Sequence, residues 1–141
     1  MEPCTFCRVV SGELEAYRVL EDDVCVAFLD HSPLRPGHCL LVPRQHYQTL
    51  PDLPRTIVGP LFVKAQLLAQ AVVSAAGAEG SFVAINNRVS QSVPHLHVHV
   101  VPRRKGDGLK GFFWPRVRYP SEAAAREMQR AIREAIDQLR L

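Results

Sequence analysis

The sequence predicts an α+β domain, an antiparallel sheet of about five strands with two main helices. Three observations predict it. Five short apolar stretches are bounded by turn residues and read as strands. Two longer stretches repeat their apolar residues with a helical period. The strands carry short turns with the helices inserted between them, and no repeat or low-complexity linker divides residues 1–141 into more than one domain.

Ala16–Leu20 and Val24–Asp30 read as two strands around a turn at Glu21-Asp22-Asp23. Ser32-Pro33-Leu34-Arg35-Pro36-Gly37 reads as a loop, because proline and glycine recur within it. His38–Pro43 is a third strand, near-continuously apolar and therefore central. Pro51-Asp52-Leu53-Pro54 opens a helical stretch with apolar residues at 57, 58, 61, 62, 65, 68, 69, 72 and 73, stopped by Gly77. Pro60 lies inside that pattern, so the helix either kinks there or begins its regular part there. Ser81–Asn86 is a fourth strand, Asn87–Pro94 a polar loop and His95–Pro102 a fifth strand ended by proline. Gly106–Tyr119 is glycine-rich and aromatic and is assigned to no element. Ser121 caps a final helix reaching about Arg140, with Glu122 in its first turn.

The formal net charge of +3 suits an anionic small ligand and is too mild for a nucleic-acid partner. The basic residues are scattered except at Arg103-Arg104-Lys105, which no stacked aromatics accompany. Uninterrupted apolar runs fall short of the ~18 residues of a membrane span. The first residues have neither the basic nor the apolar region of a secretory signal, so a soluble, cytoplasmic protein is expected. Cys25 and Cys39 sit within apolar strands and read as buried thiols acting as small hydrophobes. Cys4 and Cys7, two residues apart, read as a metal or redox element and not a structural disulfide. A thioredoxin-like role is disfavoured, because no strand precedes them.

The most informative segment is His95-Leu96-His97-Val98-His99-Val100-Val101. A strand sends alternate side chains to opposite faces, so the three histidines share one face at a spacing of roughly 6–7 Å. Leu96, Val98 and Val100 then point into the core. Imidazoles serve as nucleophiles, acids and metal ligands near neutral pH, and three in strict alternation among aliphatic residues exceed what packing requires.

His95–Val101 resembles the signature of the histidine triad (HIT) family. Gln91-Ser92-Val93 stands before it, and Cys4-Thr5-Phe6-Cys7, Ala27-Phe28-Leu29-Asp30, Pro36-Gly37-His38 and Asn86-Asn87 extend the likeness over nearly the whole chain. The resemblance implies a HIT-like fold and a homodimer with a continuous sheet. It also implies hydrolysis or transfer at the α-phosphate of a purine nucleotide, an adenosine phosphoramidate or a dinucleoside polyphosphate, through a covalent histidine intermediate. By the same resemblance His97 is the nucleophile, His99 and His38 contact the phosphate or orient it, and Asp30 binds the ribose hydroxyls. Gln91, Ser92 and either Asn86 or Asn87 face the α-phosphate and leaving group. Phe28 either walls the base pocket or belongs to the core. A phosphoryl centre needs an in-line nucleophile and well-placed donors, and this set supplies both.

Bacterial-type proteins of this kind that the chain resembles hold zinc with two cysteines and two histidines. Here Cys4 and Cys7 would be joined by His95 and by His46 of Pro43-Arg44-Gln45-His46. Four protein ligands close the site, so that zinc would be structural; the alternative is a pair of surface thiols. Two other readings of the triad stand beside the leading one. The first is a zinc hydrolase with an activated water on His95, His97 or His99; the second is a nucleotide-binding regulatory module with vestigial activity. Lys105–Arg118, with Phe112, Phe113, Trp114 and Arg116, either closes over the nucleotide or packs the last helix.

Overall fold

The computed structural model describes residues 4–110 and 115–139. In chain order these form α1 (Thr5–Ser11), β1 (Arg18–Glu21), β2 (Cys25–Leu29), β3 (Cys39–Pro43) and a 3₁₀ turn (Leu50–Asp52). Then come α2 (Arg55–Ala76), β4 (Gly80–Ala84), β5 (Val98–Arg103) and α3 (Glu122–Leu139). The five strands make one sheet in the order β1-β2-β3-β5-β4, antiparallel throughout. The α+β class and the antiparallel five-stranded sheet are those the sequence predicts. The helix α1 is an addition, because seven residues are too few to show a period and Cys-x-x-Cys masks its start.

Each face of the sheet has its own core. On one, α2 lays Leu61, Ala65, Leu68 and Val72 over Cys25, Ala27, Cys39, Leu41, Val98 and Val100, with Leu96 beside them. On the other, Phe6 and Val9 of α1 pack on Val26, Phe28, Leu40 and Val42. Cys25 and Cys39 are buried thiols within this packing. The seven residues of α1 leave part of their face open, and that opening is the cleft described below.

The helix α2 starts after Pro54 and ends on Gly77, whose φ of 60° is left-handed as a C-cap requires. Pro60 lies beyond the first turn of a continuous helix, so its missing N–H leaves the Thr56 carbonyl without the usual partner. By length and composition α2 could cross a membrane, with a mean hydropathy of 1.5. Uninterrupted runs miss this, since Lys64, Gln66 and Gln70 break them. Its buried face packs on β3, β4 and β5, which makes it the core helix of the sheet.

The ladder of β5 begins at Val98, not at His95 as the sequence predicts. The reason is local. The His95 amide donates to Val93 O (2.8 Å) and the Leu96 amide to Tyr47 O (2.7 Å), so neither joins a neighbouring strand. The alternation nevertheless persists through the irregular part. Leu96, Val98 and Val100 enter the α2 core, while His95 and His97 both lie against Phe6 of α1.

The chain forms two compact units, Met1–Asp107 and Gly108–Leu141. In the second, Ser121 Oγ accepts the Ala124 amide at 3.1 Å and so caps α3 as expected. Among its described residues α3 buries none; Met128, Ile132, Ile136 and Leu139 form an exposed stripe. Phe112, Phe113 and Trp114, on which a lid or a satellite core would rest, lie outside the described residues.

Candidate active site and metal-binding cluster

His97 is 4 % exposed and lies on the α1 side of the sheet, against Phe6. Its Nδ1 lies 2.7 Å from the carbonyl oxygen of His95. A carbonyl only accepts, so Nδ1 carries a proton, and in the neutral ring the lone pair is on Nε2. That Nε2 has no protein partner among the described residues and is not sealed from solvent. Phe6 stands edge-on to the ring, with centroids 5.0 Å apart at 80°, and limits its rotation. Backbone and packing together therefore aim one basic nitrogen into the open face. The sequence does not reveal Phe6, because inside Cys-x-x-Cys it looks like filler.

His99, on β5, lies with its ring centroid 4.9 Å from that of His97. Its Nδ1 is 3.0 Å from His38 Nε2. His38 is 2 % exposed and receives the Leu34 amide on Nδ1 at 3.0 Å. Asp30 Oδ2 lies 3.6 Å from His38 Nε2, while Oδ1 accepts the Ser32 amide at 2.9 Å. Burial pushes His38 below the usual histidine value; Asp30 opposes this and His97 adds to it. Burial lowers His99 to about 4, helped by His97 and His38 against Asp30. Both rings are thus neutral near pH 7.

A cleft of about 900 Å³ opens on the α1 side of the sheet. His97, His99, Asp30 and Ser92 line it, as do Phe28, Leu40, Val9 and Val93. Phe28 is 4 % exposed, within the core on the α1 side, and also lines the cleft. Tyr17 and His31, which the sequence does not single out, stand exposed along the same lining.

The other polar residues expected at the phosphate are occupied elsewhere or lie apart. Gln91 Nε2 donates to Gln48 O (2.6 Å) and its Oε1 accepts the Arg88 amide (2.8 Å). Asn87 Oδ1 accepts the Leu50 amide at 2.8 Å. Both side chains brace the loop before the triad, in which Arg88 and Ser90 hold left-handed φ angles of 69° and 60°. Asn86 is exposed; neither it nor Asn87 nor Gln91 lines the cleft.

A second cluster lies beyond His95. Its Nε2 is 3.0 Å from the Pro43 carbonyl and so is protonated, which leaves Nδ1 with the lone pair. That Nδ1 is 3.3 Å from Cys4 Sγ and 3.6 Å from Cys7 Sγ, and Cys7 Sγ is 3.4 Å from His46 Nδ1. All four ligand atoms lie within 4.8 Å of one another. Tetrahedral bonds of ~2.3 Å to sulfur and ~2.0 Å to nitrogen would place S and N about 3.5 Å apart, so these residues fit zinc. Burial, then the Cys4 thiol, pushes Cys7 up to about 11 when no cation is present. Burial likewise lowers His95 to about 4, which keeps its lone pair available.

Comparison with known proteins agrees with the geometry. The HIT domain profile matches residues 11–106, more than half of the chain. The adenylylsulfatase HINT3 of Arabidopsis thaliana is 36% identical over 108 residues, 75% of this chain; the chain spans only 55% of that relative's length. The adenosine 5′-monophosphoramidase hnt1 of Schizosaccharomyces pombe is 31% identical over 114 residues, 79% of this chain and 83% of the relative. A Zn-bound histidine triad family protein from Mycobacterium smegmatis superposes with a TM-score of 0.72 at 34% identity, covering 96% of each chain. By its profile match, its relatives and its fold, the chain belongs to the HIT domain family.

Proposed function

We propose that this protein hydrolyses or transfers a purine nucleotide at its α-phosphate, through a covalent nucleotidyl group on His97. The observation that carries the reading is the 2.7 Å bond between His97 Nδ1 and His95 O, which puts the lone pair of the neutral ring on Nε2, beside an open cleft. Two relatives that cleave AMP-linked bonds, an adenylylsulfatase and a monophosphoramidase, support it. In this reading His97 Nε2 forms a bond to phosphorus as the bond to the leaving group breaks. The electron pair departs with the leaving atom, which takes its proton from water in the cleft. A second water then attacks phosphorus, the N–P pair returns to Nε2, and the water's proton passes to solvent.

The remaining residues hold the substrate. His99 and Ser92 offer donors to the charged oxygens, each such donor typically worth ~3 kcal/mol in the transition state. Asp30 Oδ2, bound to no backbone amide, accepts the ribose hydroxyls. The apolar wall of Phe28, Leu40, Val9 and Val93 receives the purine. Zinc held by Cys4, Cys7, His46 and His95 would be closed by four protein ligands; it would fix α1 against the triad and supply no step. A metal-activated water would need an open position, which that set does not leave. We also infer a homodimer, supported by exposed Phe62, Val63 and Leu67 on α2 and Val83 on the edge strand β4.

The test is intact-protein mass after brief mixing with an AMP-lysine type phosphoramidate. The reading expects a nucleotidyl adduct on His97 that is absent in His97→Gly. An adduct elsewhere, or turnover with no adduct on rapid quenching, overturns it.

A further inference from the structure

The Asp30, His38 and His99 ligand atoms lie within 4.8 Å of one another, a second arrangement that distance alone would allow to hold a cation. The hydrogen bonding decides otherwise. The Leu34 amide can only donate, and it faces His38 Nδ1 at 3.0 Å. A neutral His38 must therefore keep its proton on Nε2. A cation on Nε2 would shift that proton to Nδ1 and set it against the Leu34 N–H, donor against donor, in a site 2 % exposed.

We propose that the Leu34 backbone amide is a positioning group that locks the His38–His99 pair in one tautomer and makes this cluster a proton-holding pair, not a metal site. The order of donors follows from it. His38 Nε2–H donates to His99 Nδ1 at 3.0 Å, so His99 carries its own proton on Nε2. His99 lines the cleft, and its Nε2 has no protein partner among the described residues. A lock built on one amide thus turns His99 into a hydrogen-bond donor next to His97 Nε2, a lone pair. The rings stand 4.9 Å apart, one poised to give a hydrogen bond and the other an electron pair. Burial keeps both His38 and His99 neutral, so each has a single proton whose place matters. The lock resides in the loop between two prolines, Pro33 and Pro36, which narrow the backbone freedom around Leu34.

The catalytic consequence rests on the function proposed above; the tautomers do not. Long-range ¹H–¹⁵N NMR of the wild-type imidazoles at pH 7 should show His38 and His99 both protonated at Nε2. A His38 protonated at Nδ1 overturns the proposal without any variant. Leu34→Pro removes the amide, and Leu34→Ala keeps it. With a native amide spectrum, Leu34→Pro should mix the His38 tautomers and lower kcat tenfold or more with KM within about twofold, while Leu34→Ala matches wild type. Unchanged tautomers and kcat in a folded Leu34→Pro protein overturn it; if that variant fails to fold, the wild-type spectrum decides. Manganese titration supplies the last arm, with no selective broadening of His38 and His99 expected and such broadening contradicting the lock. If the tautomers hold but no His97 adduct forms, the functional reading falls and the lock stands.

Discussion

The carbonyl oxygen of His95 holds the Nδ1 proton of His97 at 2.7 Å, while the ring of the same His95 turns its free nitrogen toward Cys4 at 3.3 Å. One residue thus belongs to both clusters, by its backbone to His97 and by its side chain to the cysteines. The two contacts divide the predictions, since a change in His97 should alter chemistry first and a change in the cysteines should alter stability first.

For the nucleophile, His97→Gly should lower kcat at least a thousandfold while AMP binding stays within threefold by calorimetry. The residues proposed to hold the ribose and base, Asp30 and the apolar wall of the cleft, are untouched by that change. More than a tenth of wild-type kcat, a loss below ~1.4 kcal/mol, would remove His97 from the role.

For the cysteines, elemental analysis should find about one zinc per chain, lost in the Cys4→Ser, Cys7→Ser double variant. Binding to the native state alone adds about 2.7 kcal/mol when free metal is a hundredfold above its Kd, so the double variant should melt several degrees lower. Equal melting temperatures would refute a structural role. A fully folded but inactive double variant would favour metal chemistry instead.

In the proposed function Asp30 reads the sugar. Its Oδ2 is free of backbone bonds, and charge-assisted hydrogen bonds from ribose hydroxyls contribute ~1.5–3 kcal/mol each. AMP-based substrates should exceed their 2′-deoxy analogues roughly tenfold or more in kcat/KM, and Asp30→Ala should erase most of that ratio. The check is a comparison of both proteins with both sugars. An equal ribo preference in the two would mean that another group reads the sugar.

Acid should unfold the protein through its buried histidines. Burial lowers His38, His95 and His99, the last two to about 4, against ~6.5 in the unfolded chain. Between those values the unfolded chain binds more protons. Stability is therefore complete above about pH 6.5 and declines as pH falls toward about 4. Urea midpoints of the cysteine-free double variant, which excludes metal release, should drop from pH 7.5 to pH 5. The drop should shrink in His99→Asn, and a flat profile would show the rings to be solvated.

Much of this was legible in the sequence, for a physical reason in each case. Strict alternation placed Leu96 and Val98 in one core and the histidines on the other side, and the structure keeps it even where the ladder has not begun. Gly77 and Ser121 marked helix ends, because capping is local chemistry. What stayed hidden depends on partners remote in sequence. Gln91 and Asn87 bond to Gln48 and Leu50, some forty residues away, and no motif shows that their side chains are already engaged. Phe6 acts through a ring contact 91 residues along the chain, and the Leu34 amide through a backbone group that a one-letter sequence does not display.

The open cleft on the α1 side of the sheet has a thermodynamic consequence. The seven residues of α1 leave a cleft beside Phe28, Leu40 and Val93, whose lining is largely apolar. A purine that enters the cleft takes over part of the cover that α1 lacks, releasing water from an apolar wall. The heat of nucleotide binding should therefore become steadily more exothermic with rising temperature. That negative heat-capacity change would mark the ligand as the missing piece of the smaller core.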